Sequence, residues 1–344
     1  MPRALRNGVS WRSLEEFILA LEQRGELLRV SHPVDVELEA GCIADLLVKR
    51  NGPAVIFDQP RLGDGSISRY PLAMNLFGTR DRTNLALGVV EPKEIGEMMT
   101  GLMKPDIGGI LRRPWTGLGL LRQGISMAPR KVSRGKCQQV RMDNPDVTRL
   151  PIPTSWPQDG GPFMTLPLVV TSDPETGVHN LGMYRSQVFG PDEVGLHWQK
   201  HKHGADHAEA SDDRMPVAIC LGGPPQVIFS AISPLPDNLS EYEFAGLLSG
   251  RRLKITKCLT NDLWVPADCD FVIEGYTLPS EKRIEGPFGD HFGHYSLEDE
   301  YPVMHVTAIT HKKDPTIPMT IVGCLLYTSP SPRDRTRSRM PSSA

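Results

Sequence analysis

The segment Arg283–Tyr295, RIEGPFGDHFGHY, concentrates side chains that can move protons. Glu285 and Asp290 flank a Gly-Pro-Phe-Gly sequence that favours a turn, and His291 and His294 follow. Such a turn brings the two carboxylates close together, and the pKa of one then rises because neighbouring carboxylates do not both ionise easily. A neutral carboxylic acid can return a proton to a carbanion while its partner acts as a base. The alternative is a surface turn with two solvated acids.

Two earlier segments carry groups that bind anions or metal ions. In NLGMYRSQ, the forked guanidinium of Arg185 can hold a carboxylate or phosphate, and the alternative is a buried salt bridge. If this run is one strand, Asn180 and Arg185 face opposite sides of it. The segment LHWQKHKHGADH carries histidines at helical spacings that suit a divalent metal, and the alternative is a solvated helix end: His197, His201, His203 and His207.

The composition places these groups in an ordinary globular protein. The chain has 344 residues, 39% hydrophobic and 23% charged, which allows a sizeable core and two domains. A formal charge of −3 gives no reason to expect a nucleic-acid partner. The N-terminus lacks a secretory signal, and the six cysteines are scattered without a CxxC pair. These features predict a cytoplasmic protein, at most peripheral at the inner membrane face.

Three helices are predicted, two near the N-terminus and one among the strand-like runs. Residues 13–30 and 38–52 have helical periodicity, with Gly25 ending the first helix or nearly so, and 239–250 forms the third helix. S-x-x-E capping boxes begin the first and third of them, at Ser13 and Ser240. The second box leaves Glu241 at the first helical position, where an acid can face a cation.

Strands dominate the remainder. A hairpin is predicted around Asp173–Gly177, and residues 104–161, rich in Pro, Gly and Arg, are expected to cross between domains. No G-x-G-x-x-G or Walker A motif occurs. An α/β beginning followed by sequential antiparallel strands predicts a barrel or sandwich, with strands at PAVIFDQP, PLAMNLFG, PVAICLGG, PQVIFSAI, LKITKCL, CDFVIEGYTL and PVMHVTAIT.

Taken in order, several of these pieces resemble the UbiD family of decarboxylases, which depend on prenylated FMN. The resemblance covers residues 13–323. EGPFGDH with an upstream N-x-G-x-Y-R is quite specific, whereas the histidine run alone is not. The matching segments are LEEFILALEQRGELLRVSHPVD, NLFGTRDR, NLGMYR, HWQKHKHG, PLPDNLSEYEFAG and IEGPFGDHFGHYS.

The resemblance implies a fold and a set of site residues. The fold is α+β: an N-terminal α/β domain (1–115), then a flavin-reductase-like split β-barrel that binds the cofactor (116–323). Mn²⁺, with K⁺ as a further candidate cation, would be held by Asn180, His201 and Glu241, although His197 and His203 lie near enough to compete with His201. Arg185, Glu285 and Asp290 would form the catalytic network. The cofactor would be lined by Met183, Tyr184, Arg185, His197, Trp198, Gln199, Lys202 and His203.

The implied activity is loss of CO₂ from an aromatic or α,β-unsaturated acid. Within the family, 4-hydroxy-3-polyprenylbenzoate decarboxylation in ubiquinone synthesis is the leading expectation, and menaquinone-pathway or phenolic acids are alternatives. A flavin prenyltransferase would supply the cofactor, and the full-length protein would be a homo-oligomer. Residues 324–344 resemble translated vector sequence and are expected to be a non-native tail. The rival classes are a non-catalytic metal-binding barrel and an ordinary FMN oxidoreductase.

Overall fold

The structure is a computed structural model that describes residues 10–103, 114–198, 214–236 and 239–323. Helices cluster in the first part of this chain, and two more lie before the two longest strands. The α-helices are Leu14–Gln23, Glu39–Lys49, Arg80–Leu87, Lys93–Met103, Pro114–Met127, Pro225–Ser230 and Glu241–Ser249, and the short 3₁₀ helices are Lys136–Gln138 and Val147–Arg149.

Strands outnumber helices in the described chain from residue 130 onward. The strands in chain order are β1 (Leu27–Val30), β2 (Val34–Asp35), β3 (Ala54–Phe57), β4 (Pro60–Arg61), β5 (Leu72–Met74), β6 (Arg130–Val132), β7 (Val140–Arg141), β8 (Phe163–Met164), β9 (Leu168–Ser172), β10 (His179–Met183), β11 (Ser186–Val188), β12 (Glu193–Leu196), β13 (Met215–Leu221), β14 (Lys254–Lys257), β15 (Trp264–Pro266), β16 (Phe271–Glu285), β17 (Phe288–Gly289), β18 (Tyr295–Ser296), β19 (Asp299–His311) and β20 (Ile317–Pro318).

The largest sheet is curled into a barrel that stays open along one seam. Its strand order is β10-β9-β13-β16-β19-β12-β11-β8, with β7 also paired to β19. Six inter-strand steps separate β10 from β11, which would be ~29 Å in a flat sheet. The chain nevertheless passes from the end of β10 to the start of β11 through Tyr184 and Arg185 alone, a span of at most ~11 Å. The two ends of the sheet must therefore meet, and these two residues lie at the seam.

The N-terminal layer is joined to the barrel through both its sheet and its core. Its sheet has the order β1-β3-β5-β20, so the last described strand returns from the barrel and pairs with β5. One hydrophobic cluster contains residues of both parts, among them Phe57 and Leu72 from the N-terminal sheet and Val169 and Ile273 from the barrel. The expected combination of an α/β layer and a split β-barrel is confirmed.

Several predicted elements are confirmed and two are corrected. The hairpin around Asp173–Gly177 joins β9 to β10, and the helix Glu241–Ser249 has both hydrogen bonds of its capping box. PQVIFSAI was predicted as a strand, but Pro225–Ser230 is a helix. Its apolar residues could be buried in either a strand or a helix, so their burial did not distinguish the two. A proline at the first helical position favours a helix start. Segment 104–161 contains the helix Pro114–Met127, which weak periodicity concealed.

The first predicted helix ends close to Gly25, as expected. Only Leu14–Gln23 is helical, because Gly25 adopts a positive φ of 69° and the chain continues as β1. Ser13 caps this helix by accepting from the Glu16 amide. Glu16 completes no box, since its carboxylate accepts from the Arg12 amide instead of from Ser13.

None of the helices within the described ranges is both long and apolar enough to cross a bilayer. The predicted cytoplasmic location stays a prediction.

Candidate active site

A guanidinium and a carboxylate meet at the barrel seam. Arg185 donates from Nε to Glu285 Oε1 at 2.8 Å and from Nη2 to Oε2 at 2.9 Å. This bidentate pair joins residues a hundred positions apart, because Arg185 follows β10 while Glu285 ends the long strand β16. Glu285 is fully buried and the Arg185 side chain is 11% exposed, so the pair is among the stronger charge-assisted contacts.

The surroundings of the pair favour its ionised form. Burial alone would raise the pKa of Glu285, but hydrogen bonds from His197 and Arg185 outweigh it and hold that pKa below its ordinary value. The Arg185 guanidinium also lies 4.6 Å from the ring centre of Phe288 and 5.9 Å from that of Phe163. The aromatic rings limit access of water, which strengthens the ion pair.

This arrangement differs from the two-carboxylate prediction. The groups that shift the pKa of Glu285 are Arg185 and His197, and Asp290 is not among them. The predicted rise in the pKa of one carboxylate of the pair therefore does not fall on Glu285. The physical reason is that the buried acid is neutralised by a cation, and an acid with a bound guanidinium titrates downward.

Asp290 lies at the end of a small ribbon that also contacts Arg185. The ribbon pairs β17 with β18, and its Ser296 hydroxyl accepts from Arg185 Nη2 at 3.0 Å. Asp290 follows β17 directly and is 28% exposed. Its carboxylate accepts from the backbone and the ring of His291. The structure thus brings Arg185, Glu285 and His197 into direct contact, and Asp290 occupies a more open position on the adjacent ribbon.

Two predicted metal ligands lie on neighbouring elements. Asn180 is on β10, and Glu241 begins the helix Glu241–Ser249 and accepts from the amide of Leu181 at 3.3 Å. Asn180 is 7% exposed, and its Nδ2 has no hydrogen-bond partner in the described part of the chain. Because the two ends of an amide exchange by a half-turn of the side chain, either end can occupy the unpaired position, including the oxygen that ligates cations.

The third predicted ligand lies outside the described residues. His201 falls in the interval 199–213, as do Gln199, Lys202, His203 and His207. Among the residues that the structure describes, no group of three or more His, Cys, Asp and Glu side chains is arranged to hold a metal ion. An amide, a carboxylate and an imidazole form a donor set that suits Mn²⁺, and the unpaired Asn180 amide fits this role.

Besides Arg185, four of the predicted cofactor-lining residues are described, and they lie at the end of β10 or just after β10 and β12: Met183, Tyr184, His197 and Trp198. Met183 ends β10, and Tyr184 is buried with its ring over Gly182, where an added Cβ would lie 2.4 Å from that ring. Trp198 follows β12, is 4% exposed, and has an indole Nε1 without a hydrogen-bond partner among the described residues. A buried donor without a protein acceptor fits a bound polar group such as a cofactor.

If residues 180–185 formed one strand, Asn180 and Arg185 were predicted to lie on opposite faces of it. The structure divides the β10–β11 run into two strands that pair with different neighbours. The alternation of side chains does not continue across the break at Tyr184 and Arg185, so the sequence argument about faces does not apply.

Two family profiles match the chain. The 3-octaprenyl-4-hydroxybenzoate carboxy-lyase Rift-related domain matches residues 130–325, and the N-terminal domain of the same carboxy-lyases matches residues 18–100. The first match covers more than half of the sequence and contains every candidate site residue named above. The chain belongs to the UbiD family.

Related proteins agree with this UbiD assignment over nearly the whole chain. An uncharacterized protein of Archaeoglobus fulgidus is 42% identical over 319 residues, which are 92% of this chain and 65% of the relative. The chain therefore spans about two-thirds of that protein's length. Two solved structures also match: an evolved dimeric form of the UbiD-class enzyme HmfF from Pelotomaculum thermopropionicum in complex with prFMN (27% identity, TM-score 0.78, 91% of this chain and 68% of that chain) and the closed form of the vanillic acid decarboxylase of Sedimentibacter hydroxybenzoicus (29%, 0.79, 92% and 65%).

Some residues of the candidate site were not found from the sequence. Asp159 accepts from three backbone amides, those of Ser155, Trp156 and Gly289, and thereby anchors the ribbon next to Asp290. Burial raises the pKa of Asp159 despite these bonds. Gln187 spans the same region, donating to the Gly160 carbonyl and accepting from the Gly286 amide. The Asp-Gly-Gly turn signal at 159–161 could have indicated the loop, but nothing in it indicated the long-range partner.

Proposed function

We propose that this chain forms the cofactor-binding and catalytic part of a decarboxylase that acts on aromatic carboxylic acids with prenylated FMN. The observation that carries the proposal is the buried bidentate pair of Arg185 and Glu285 at the barrel seam. The structural likeness to the UbiD-class enzyme HmfF in complex with prFMN and to a vanillic acid decarboxylase supports it. Because those chains are longer, the proposal concerns the whole protein.

Arg185 is the group that would hold the substrate carboxylate. Its hydrogen bonds within the described residues use Nε and Nη2 and not Nη1. A carboxylate at Nη1 would gain charge-assisted hydrogen bonds in a site partly closed by two phenyl rings. Glu285 fixes the other edge of the guanidinium, so the substrate is held in one orientation.

Asp290 would return the proton after CO₂ leaves. The bond between the ring carbon and the carboxyl carbon breaks, CO₂ departs, and the carbon takes the proton that Asp290 carried. When bound, the prenylated flavin supplies the electron sink that no side chain offers. Glu285 would remain ionised throughout as the partner of Arg185, which agrees with its lowered pKa.

The cofactor would be held through its phosphate by Mn²⁺ on Asn180, His201 and Glu241, with K⁺ as a further candidate cation. The orphaned Asn180 amide and the Glu241 carboxylate on the adjacent helix support this part of the proposal. The residues proposed to line the flavin are Met183, Tyr184, Arg185, His197, Trp198, Gln199, Lys202 and His203.

The substrate is proposed to be a hydroxylated benzoic acid. A polyprenylated 4-hydroxybenzoate, as in ubiquinone synthesis, is favoured by the descriptions of the family profiles, and a smaller phenolic acid by the vanillic acid decarboxylase. The test is the whole protein, co-expressed with a flavin prenyltransferase and assayed for bound flavin and for CO₂ release from both acid types. A protein that binds Mn²⁺ but neither flavin nor acid would instead be a non-catalytic barrel, and the proposal would be wrong.

Asp290→Asn is expected to lower CO₂ release by about 10²- to 10⁴-fold, the usual contribution of a general acid. The fold should be retained, because Asp290 is partly exposed and its side-chain contacts are to His291. The matched control is Asp299→Asn, an exposed acid that is the cross-strand partner of Glu285. Steady-state kinetics and thermal unfolding of both variants check this. Normal turnover by Asp290→Asn would require a different proton donor.

A further inference from the structure

His197 faces the Arg185–Glu285 pair because of strand register. In the β11–β12 ladder, Ser186 pairs with Leu196, so Arg185 and His197 are the next pair outward, and the His197 amide donates to the Arg185 carbonyl at 3.2 Å. In the β12–β19 ladder, Gly195 pairs with Val303, which places Tyr301 opposite His197. Arg185, His197 and Tyr301 therefore form a row across three neighbouring strands.

The imidazole of His197 completes the hydrogen bonding of Glu285. Oε1 accepts from Arg185 Nε, while Oε2 accepts from Arg185 Nη2 and, at 3.1 Å, from His197 Nδ1. An ionised carboxylate can only accept, so the proton of the imidazole is on Nδ1. The aromatic ring of Tyr301 packs on the imidazole with a centroid distance of 4.2 Å and a tilt of 36°.

The groups around Glu285 favour its ionised form, and Tyr301 stays neutral. His197 and Arg185 both lower the pKa of Glu285, against the effect of its burial. Tyr301 contributes no charge, because burial and the nearby carboxylates of Glu285 and Asp299 raise the pKa of its phenol. The ionised Glu285 therefore depends on two donors from neighbouring strands, one of which is an imidazole.

We infer that His197 is a positioning residue for the proposed decarboxylation: its Nδ1–H, steadied by Tyr301, locks the Glu285 carboxylate in the plane of the Arg185 guanidinium. Two donors on one oxygen and one on the other leave Glu285 a single orientation. The guanidinium is then fixed with its Nη1 edge available to a substrate carboxylate. This inference rests on the proposed function for its consequence, but the hydrogen bond itself can be tested without turnover.

Two substitutions distinguish the contribution of the His197 Nδ1–H donor from that of its aromatic ring. His197→Phe keeps a ring against Tyr301 and removes the donor, whereas His197→Asn keeps a donor at the position of Nδ1 and removes the ring. Protein labelled with ¹³C at glutamate carboxyls is titrated by infrared spectroscopy without cofactor, and Glu285→Gln identifies the Glu285 band. We expect the Glu285 titration to move to higher pH in His197→Phe and to return toward the wild-type position in His197→Asn.

In the enzyme with bound cofactor, the same two variants should differ in kcat/KM for decarboxylation. His197→Phe is expected to lose about 10- to 100-fold, as for a hydrogen bond to a charged group, with the acid limb of its pH profile moved upward. His197→Asn should recover most of that loss. Tyr301→Leu leaves the donor but removes its support, and should shift the Glu285 titration part of the way, which keeps the test usable if His197→Phe misfolds.

An unchanged Glu285 titration in His197→Phe would overturn the inference. Equal losses in His197→Phe and His197→Asn would also overturn it, since the imidazole would then act through something other than its donor. Absence of decarboxylation by the wild-type protein would count against the proposed function alone, because the infrared titration needs no cofactor.

Discussion

Replacing Arg185 by Met should abolish decarboxylation and also destabilise the fold, and the two effects can be separated. Loss of the group that holds the substrate carboxylate is expected to cost about 10³-fold in kcat/KM, as for other preorganised donors to reacting charge. The fully buried Glu285 would lose its main partner, and breaking a buried pair in this way costs about 3–5 kcal/mol of unfolding free energy. Steady-state kinetics and urea unfolding at pH 7 measure the two effects.

The destabilisation should depend on pH in a defined direction. In the wild type, the pKa of Glu285 lies below its ordinary value near 4.5, so its ion pair contributes stability above that value and loses it as the pH falls through the lowered pKa. In Arg185→Met, burial dominates and the pKa rises, so the carboxyl is neutralised at a higher pH. The difference in unfolding free energy between the two proteins should therefore shrink from pH 7.5 to pH 5.

A second variant tests whether activity and stability have separate causes. Arg185→Met combined with Glu285→Gln removes the uncompensated charge while Gln still accepts from His197, so most of the lost stability should return without activity. Arg283→Met is the matched control, because its pair with Glu193 is largely exposed and such pairs contribute about 0–1 kcal/mol. If the double variant regained turnover, Arg185 would have no role in substrate binding.

Local sequence patterns predicted the individual helices and turns of this fold better than they predicted how the barrel closes. The capping box at Ser240 and the turn at Asp173–Gly177 are short-range signals, and both gave the correct structure. The helix Pro225–Ser230 was misassigned because a buried apolar run satisfies either backbone conformation. The seam at Tyr184 and Arg185 could not be foreseen, because it depends on which strands pair around the whole barrel.

In the candidate site, too, residue types could be predicted from local motifs, whereas contacts between distant residues could not. The residue types of Arg185 and Glu285 were predicted from their motifs, yet their bidentate contact spans a hundred positions and no spacing rule reports it. His197 was expected to line the cofactor, and its bond to Glu285 became apparent only from the register of three strands. Asp159 was missed because an isolated acid before two glycines reads as a surface turn.

Substitution by Gln should lower Mn²⁺ binding at Glu241 but not at Glu243, although the two residues lie on one helical turn. The carboxylate of Glu241 accepts from the Leu181 amide beside Asn180, whereas that of Glu243 accepts from the Ser240 amide of its own cap. Glu241→Gln removes an ionised oxygen from the proposed metal site. We expect apparent Mn²⁺ affinity to fall by about 100-fold, because a neutral amide is a poorer ligand for a hard divalent cation, and FMN retention should fall with it.

Glu243→Gln is the control for helix structure. Gln can still complete a capping box, so this variant should lose no more than about 1 kcal/mol and should keep both Mn²⁺ and flavin. Titration with Mn²⁺ followed by electron paramagnetic resonance measures the metal, and absorbance measures the flavin that copurifies. If Glu241→Gln retained stoichiometric Mn²⁺, the ligand set of Asn180, His201 and Glu241 would be wrong. If both variants lost Mn²⁺ to the same extent, metal binding would depend on the structure of the helix N-terminus and not on the Glu241 carboxylate.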